Sequence, residues 1–135
     1  MTVRARSTVR NGENVTSAIS LTACAVASEV DASAIACLTH TGSTARMIAR
    51  HRPGIPIHAF TSNPKVGAQM GVLWGTNAVV VPFQESTDDG IQAVHEVLIG
   101  KGVVKTGDRV VTTVGMPLPA VGSTNTIHVS HIGEE

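Results

Sequence analysis

Tyrosine is absent from this 135-residue chain, and its aromatic side chains are confined to Phe60, Trp74 and Phe83. Single-stranded nucleic acid is gripped by stacking bases on aromatic rings, so a base-stacking surface is excluded. An excess of one charge is also lacking: ten Lys and Arg balance ten Asp and Glu, and neither sign gathers into a long block. A polyanion-binding surface needs such a block, so any phosphate recognised here has to be held locally, by loops. Cysteine is scarce, with Cys24 and Cys37 alone, which leaves no disulfide framework and suits buried thiols in a reducing cytosol. No apolar run approaches the roughly 18 residues of a membrane span, and Met1–Arg6 carries charge with no apolar segment behind it. A soluble cytoplasmic protein with neither membrane nor nucleic-acid partner is expected.

What is present is Ala, Val and Ile, a mix that suits buried strands flanked by Ala-rich helices. Residues 1–14 are polar and show no apolar period, so they read as an arm or linker ahead of a domain over 15–135. Ala18, Ile19, Leu21, Ala25 and Val26 follow helical spacing from Val15 to about Val30. Ala34–Leu38 is wholly apolar, as a central strand buried on both faces would be. A helix follows over Thr44–His51, stopped by Pro53 and Gly54. Strand, loop and helix then recur: Ile57–Phe60 before a helix at Pro64–Trp74, and Ala78–Val81 before a helix at Thr87–Ile99. Arg109–Val114 is a further strand, and Thr126–Ile132 alternates as an exposed edge strand does. The alternation calls for parallel strands with crossover helices. The connection between the last two strands has no helical period, so an antiparallel partner is expected at that edge.

The informative site is Thr39-His40-Thr41-Gly42-Ser43-Thr44, between the end of a strand and the start of a helix. Ligands of open parallel sheets bind at that edge. Gly42 allows a tight turn, the first amides of the helix are unpaired donors, and the hydroxyls of Thr39, Thr41, Ser43 and Thr44 complete a cradle for one phosphate. The competing reading is that Thr41, Ser43 or Thr44 only caps the helix and Gly42 only turns the chain. A second loop, Gly115–Asn125, joins rigid prolines to permissive glycines; it either closes over a ligand or links two strands.

Other chemistries find little. No phosphate-binding or dinucleotide-binding glycine motif occurs. His40, His51, His58, His95, His128 and His131 fall in separate elements without ligand spacing, so no metal site is expected. Cys37 lies inside an apolar strand, away from any electropositive mouth. Asp88 and Asp89 open a helix, where acids favour the dipole. No catalytic residue is expected.

Taken in order, Ala18-Ile19-Ser20, Thr39–Arg46, His51–Ile57, Ala59-Phe60-Thr61, Trp74-Gly75, Lys105–Val111 and Gly122–Ile127 resemble the C-terminal α/β domain of pyruvate kinases. The resemblance runs from about residue 15 to the end. It implies a three-layer α/β/α sandwich around a five-stranded, mostly parallel sheet with an antiparallel last strand. It also implies that Thr39, His40, Thr41, Gly42, Ser43 and Thr44 bind the phosphate of an allosteric effector, and that Pro119, Ala120, Val121, Gly122 and Ser123 close over it. Many relatives place Arg where this chain has Ser43, and Gly100–Lys105 lacks the Trp and Arg that some bisphosphate-activated members use. A sugar monophosphate, a nucleotide monophosphate or inorganic phosphate therefore stands beside fructose 1,6-bisphosphate as the effector.

The family transfers a phosphoryl group from phosphoenolpyruvate to ADP on a separate barrel, which carries the Mg²⁺ and K⁺ sites. Those motifs do not occur here, so this chain alone is expected to be inactive and to carry no cofactor. The resemblance further implies a homo-oligomer, at least a dimer, and contact with a pyruvate kinase barrel. Two alternatives remain: a scaffold domain with empty loops, or a stand-alone enzyme acting on a small phosphorylated metabolite.

Overall fold

Five short strands make one sheet in the order β3-β2-β1-β4-β5, with β1 Ala34–Leu38, β2 Ile57–Thr61, β3 Thr76–Val80, β4 Arg109–Val114 and β5 Thr126–His131. The first four are parallel, and β5 returns antiparallel to β4, pairing Val111 with Val129. Four helices pack on it: α1 Asn11–Glu29, α2 Ser43–Arg50, α3 Pro64–Met70 and α4 Thr87–Gly100. This computed structural model describes residues 11–82, 86–114 and 126–133.

The central strands form where burial on both faces leaves no polar alternation. In β2 every position is buried, and in β1 only Leu38 is not fully so. Alternate residues then divide between two cores. Ile35, Cys37, Ile57 and Val111 face α1 and α2, and Ala59 continues that face under α2 and α3 with Ala45, Val66 and Met70. Ala34, Ala36, Phe60 and Val110 face α4 through Val94 and Leu98. Three helices thus cover one face and α4 the other, which is the three-layer sandwich.

Local chemistry sets the helix ends. Ser86 caps α4 by accepting from the Asp89 N–H at 3.1 Å, with Asp88 and Asp89 in the first turn. The same helix closes through Gly102 at φ 72°, whose N–H donates to Ile99 O while Val103 N–H donates to Leu98 O. At the end of α1 the equivalent left-handed position is held by Asp31 at φ 51°, with Ala32 N–H donating to Ala27 O.

Three boundaries differ from the sequence expectation. α1 begins at Asn11 rather than Val15, since a first turn can be built without the apolar residues that the periodicity tracks. Residues 1–10 of the expected arm lie outside the described residues. α3 stops at Met70, not Trp74, with Gly71 at its C-cap. Leu73 N–H then donates to Met70 O in a turn, and Trp74 stands half-exposed beyond the helix. β3 starts at Thr76, two residues early, because Ile57 N–H donates to Gly75 O and brings this end of the edge strand into register.

Candidate functional site

β1 and β4 are neighbours, yet the chain leaves β1 for α2 on one face and reaches β4 from α4 on the other. Their C-terminal ends therefore border the crevice at which doubly wound sheets bind ligands. The Thr39–Thr44 loop rises from β1 at that point.

Thr39 N–H donates to Phe60 O at 2.9 Å, which extends the β1–β2 ladder one residue past the strand. The turn then closes on itself. Gly42 N–H donates to Thr39 Oγ1 at 2.9 Å, and Ser43 N–H donates to Thr41 Oγ1 at 3.3 Å. A hydroxyl that accepts keeps its own hydrogen to donate, so Thr39 and Thr41 stiffen the loop without losing their capacity to bind an anion. Gly42 is the N-cap of α2 at φ 84°, and it offers the helix no side-chain cap. The adjacent loop contrasts with it: Asn63 caps α3 by accepting from Lys65 N–H at 3.0 Å.

Gly42 is required here for a second reason. A Cβ at this position would lie 3.1 Å from Met70 Cγ and 3.3 Å from Arg46 Nη1. The guanidinium of Arg46 reaches back from the first turn of α2 and donates to Thr41 O at 3.1 Å. It is half-buried against the loop, and no Asp or Glu occurs between Thr39 and Arg46 to neutralise it. A cation, two loop hydroxyls and a helix start whose N-cap carries no side chain are thus assembled within one turn of chain, an arrangement with the chemistry to hold a phosphate dianion.

Of the six residues expected at the site, Thr41 and Ser43 are exposed and Thr39 and His40 half-buried at the loop surface. Gly42 is the buried pivot. Thr44 is turned inward, 2% exposed, so its hydroxyl serves the core rather than a ligand. Pro119, Ala120, Val121, Gly122 and Ser123 lie outside the described residues. Sequence reasoning missed Arg46 and Met70 as parts of this site. Arg46 had a signal, since four residues after Gly42 on a helix it returns to the same face; Met70 comes from another helix and had none.

The remaining candidates stay dispersed. Among the described residues no three His, Cys, Asp or Glu side chains come together as a metal site. His128 and His131 face opposite sides of β5, paired with Thr112 and Arg109. Cys37 is fully buried, and burial pushes its thiol up to about 12. A shallow open hollow lies at the opposite end of the sheet, lined by Pro53, Pro56, Leu73 and Trp74, with the Arg52 guanidinium 5.6 Å over the Trp74 ring. Its lining residues carry no charge, and Arg52 is the cation beside it. No described helix is long and apolar enough to cross a membrane.

Comparison with known proteins converges on one family. The sequence pattern described as "Pyruvate kinase, alpha/beta domain" matches residues 17–130. A pyruvate kinase of Mycobacterium tuberculosis is 41% identical over 117 residues, covering 87% of this chain and 25% of that protein. One from Geobacillus stearothermophilus is 35% identical over 120 residues, covering 89% and 20%. The crystal structure of a pyruvate kinase from Cryptosporidium parvum superimposes with a TM-score of 0.80 at 23% identity, covering 94% of this chain and 23% of that one. The chain spans about a quarter of the length of the M. tuberculosis relative.

Proposed function

The chain belongs to the pyruvate kinase α/β-domain family, and from that premise we propose that it is a regulatory domain whose Thr39–Thr44 loop binds the phosphate of a small metabolite. The observation that carries this reading is Gly42. It starts α2 in a left-handed conformation without a side-chain cap, beside Thr39, Thr41 and the Arg46 guanidinium. Asn63 at the start of α3 and Ser86 at the start of α4 each place a side-chain oxygen at the equivalent position, and Gly42 leaves that space to a ligand.

The ligand is a phosphomonoester or inorganic phosphate. One guanidinium and one helix start neutralise one phosphate, and Gly100–Lys105 offers Lys101 and Lys105 but no arginine for a second. Pro119–Ser123 is assigned to closing over the bound group. The domain acts in the cytosol as part of an oligomer that contains a catalytic barrel, where it modulates phosphoryl transfer from phosphoenolpyruvate to ADP. Mg²⁺ and K⁺ belong to that barrel. The contact between copies is assigned to β5, an edge strand with Val129 37% exposed.

Thermal unfolding tests the reading. Fructose 1,6-bisphosphate, ribose 5-phosphate, glucose 6-phosphate, AMP and inorganic phosphate are titrated against the parent chain and against Thr41→Ala/Gly42→Asp. A ligand at a hundredfold excess over Kd stabilises by about 2.7 kcal/mol, a rise in Tm of roughly 10 °C. The expected result is a rise for at least one phosphate compound that the double variant loses. No rise with any compound, in a folded protein, refutes the effector role and leaves a scaffold domain.

A further inference from the structure

The two faces of the sheet bury different chemistry. Beneath α1 and α2 the strands present Ile35, Cys37, Ile57 and Val111, an apolar layer interrupted by the buried hydroxyl of Thr113. On the α4 face one cross-strand row reads Asn77, His58, Ala36, Thr112 and His128, buried at His58, Ala36 and Thr112 and exposed at its two ends. His58 is 3% exposed, and both its ring nitrogens are shut away with no hydrogen-bond partner; the hydroxyls of Thr112 and, one row along, Ser130 share that condition. α4 turns a second buried imidazole, His95, toward the same face.

An imidazole enclosed in this way tolerates a proton poorly, because the cation loses its hydration and gains no counter-ion. Its flanking strands supply none: β1 sets Ala36 beside it and β3 sets Asn77. From α4 the charged group that acts on it is the exposed Lys101 at the C-cap, and the ionisable side chain that this helix buries is His95. Burial first, and the Lys101 charge second, push His58 below the ordinary 6.5.

We infer that α4 is held to the sheet by an acid-sensitive latch, in which protonation of His58 beneath the helix releases it. The undocked chain carries this imidazole at its ordinary value and so takes the proton first as the pH falls. Docking is undiminished above about pH 6.5 and weakens below it, by up to about tenfold per pH unit until the folded-state value is passed. α4 leads through Gly102 directly into β4, the strand beside the Thr39–Thr44 loop, so a proton gained under the helix acts on the frame of that site. The latch itself does not depend on what the loop binds.

Amide hydrogen exchange on the full chain tests this. Protection factors, corrected for intrinsic exchange, are compared at pH 7.5 and 5.0 for Val94 and Leu98 in α4 and for Ile35 and Ile48 across the sheet. The expected result is a roughly tenfold loss of protection in α4 with little change at Ile35 and Ile48, abolished in His58→Gln. The latch is refuted if α4 protection is unchanged, if all four amides lose protection equally, or if the loss persists in His58→Gln. Should that variant not fold, the parent chain still decides: the His58 ring-proton shifts followed by NMR must titrate below pH 6.5, and a midpoint at or above 6.5 overturns the proposal.

Discussion

The Arg46 guanidinium donates to the Thr41 carbonyl 3.1 Å away, folding the first turn of α2 back over the loop that precedes it. This one contact turns a surface arginine into a fixed part of the β1–α2 junction, and it uses one of the five N–H donors that a guanidinium carries. Replacing Arg46 by Gln should therefore weaken phosphate binding by about 10- to 100-fold, the worth of a charge-assisted hydrogen bond of 1.5–3 kcal/mol. Stability should move by less than about 1 kcal/mol, because the side chain is only half-buried. Titration calorimetry with the best phosphate ligand, alongside denaturant melts, checks both halves.

Gly42 separates backbone from side-chain effects. Gly42→Ala forces a Cβ into φ 84° and to within 3.1 Å of Met70 Cγ. The left-handed conformation alone costs about 1–2 kcal/mol, so Tm should fall by several degrees, and ligand affinity should fall with it. Gly75 also has positive φ but nothing within 4 Å of an added Cβ. Gly75→Ala should accordingly lower Tm without affecting affinity.

Asp31 occupies the left-handed position that closes α1, at φ 51°. Glycine adopts that conformation without a Cβ penalty. Asp31→Gly is expected to stabilise the domain by up to about 1 kcal/mol, seen as a higher denaturant midpoint with an unchanged m-value.

The two thiols should differ in reactivity. Cys37 has no surface access and is pushed up to about 12 by burial, so at pH 8 it is almost wholly protonated. Half-buried Cys24 is also raised by burial. Ellman's reagent at pH 8 should label Cys24 slowly and Cys37 only after denaturant is added; rapid labelling of both in the native state would contradict the buried strand assignment.

Much of this architecture was legible in the residues. The unbroken apolar run Ala34–Leu38 read best as a doubly buried strand, and the alternation of such runs with helical spacing called for parallel pairing. The irregular link before Thr126 pointed to the antiparallel edge. The place of the Thr39–Thr44 loop between a strand and a helix was legible as well. What pattern could not supply was direction across space. Period-2 reading fails where both faces are buried, so nothing in Ile-His-Ala-Phe-Thr indicated that His58 lies beneath α4 with its nitrogens enclosed. The inward turn of Thr44 and the approach of Met70 to Gly42 are tertiary facts of the same kind. The early end of α3 reflects local turn bonds at Met70 and Gly71 overriding an apolar period that ran on to Trp74.

The most direct test of phosphate binding at the β1–α2 loop is backbone amide chemical-shift mapping of the full chain with inorganic phosphate and ribose 5-phosphate. The predicted result is saturable shifts centred on Thr41, Gly42, Ser43 and Arg46, with the Arg46 side-chain signals moving in parallel and all of them silent in Gly42→Asp. Shifts confined to the hollow around Trp74, or no saturable shift anywhere in a folded protein, would contradict it.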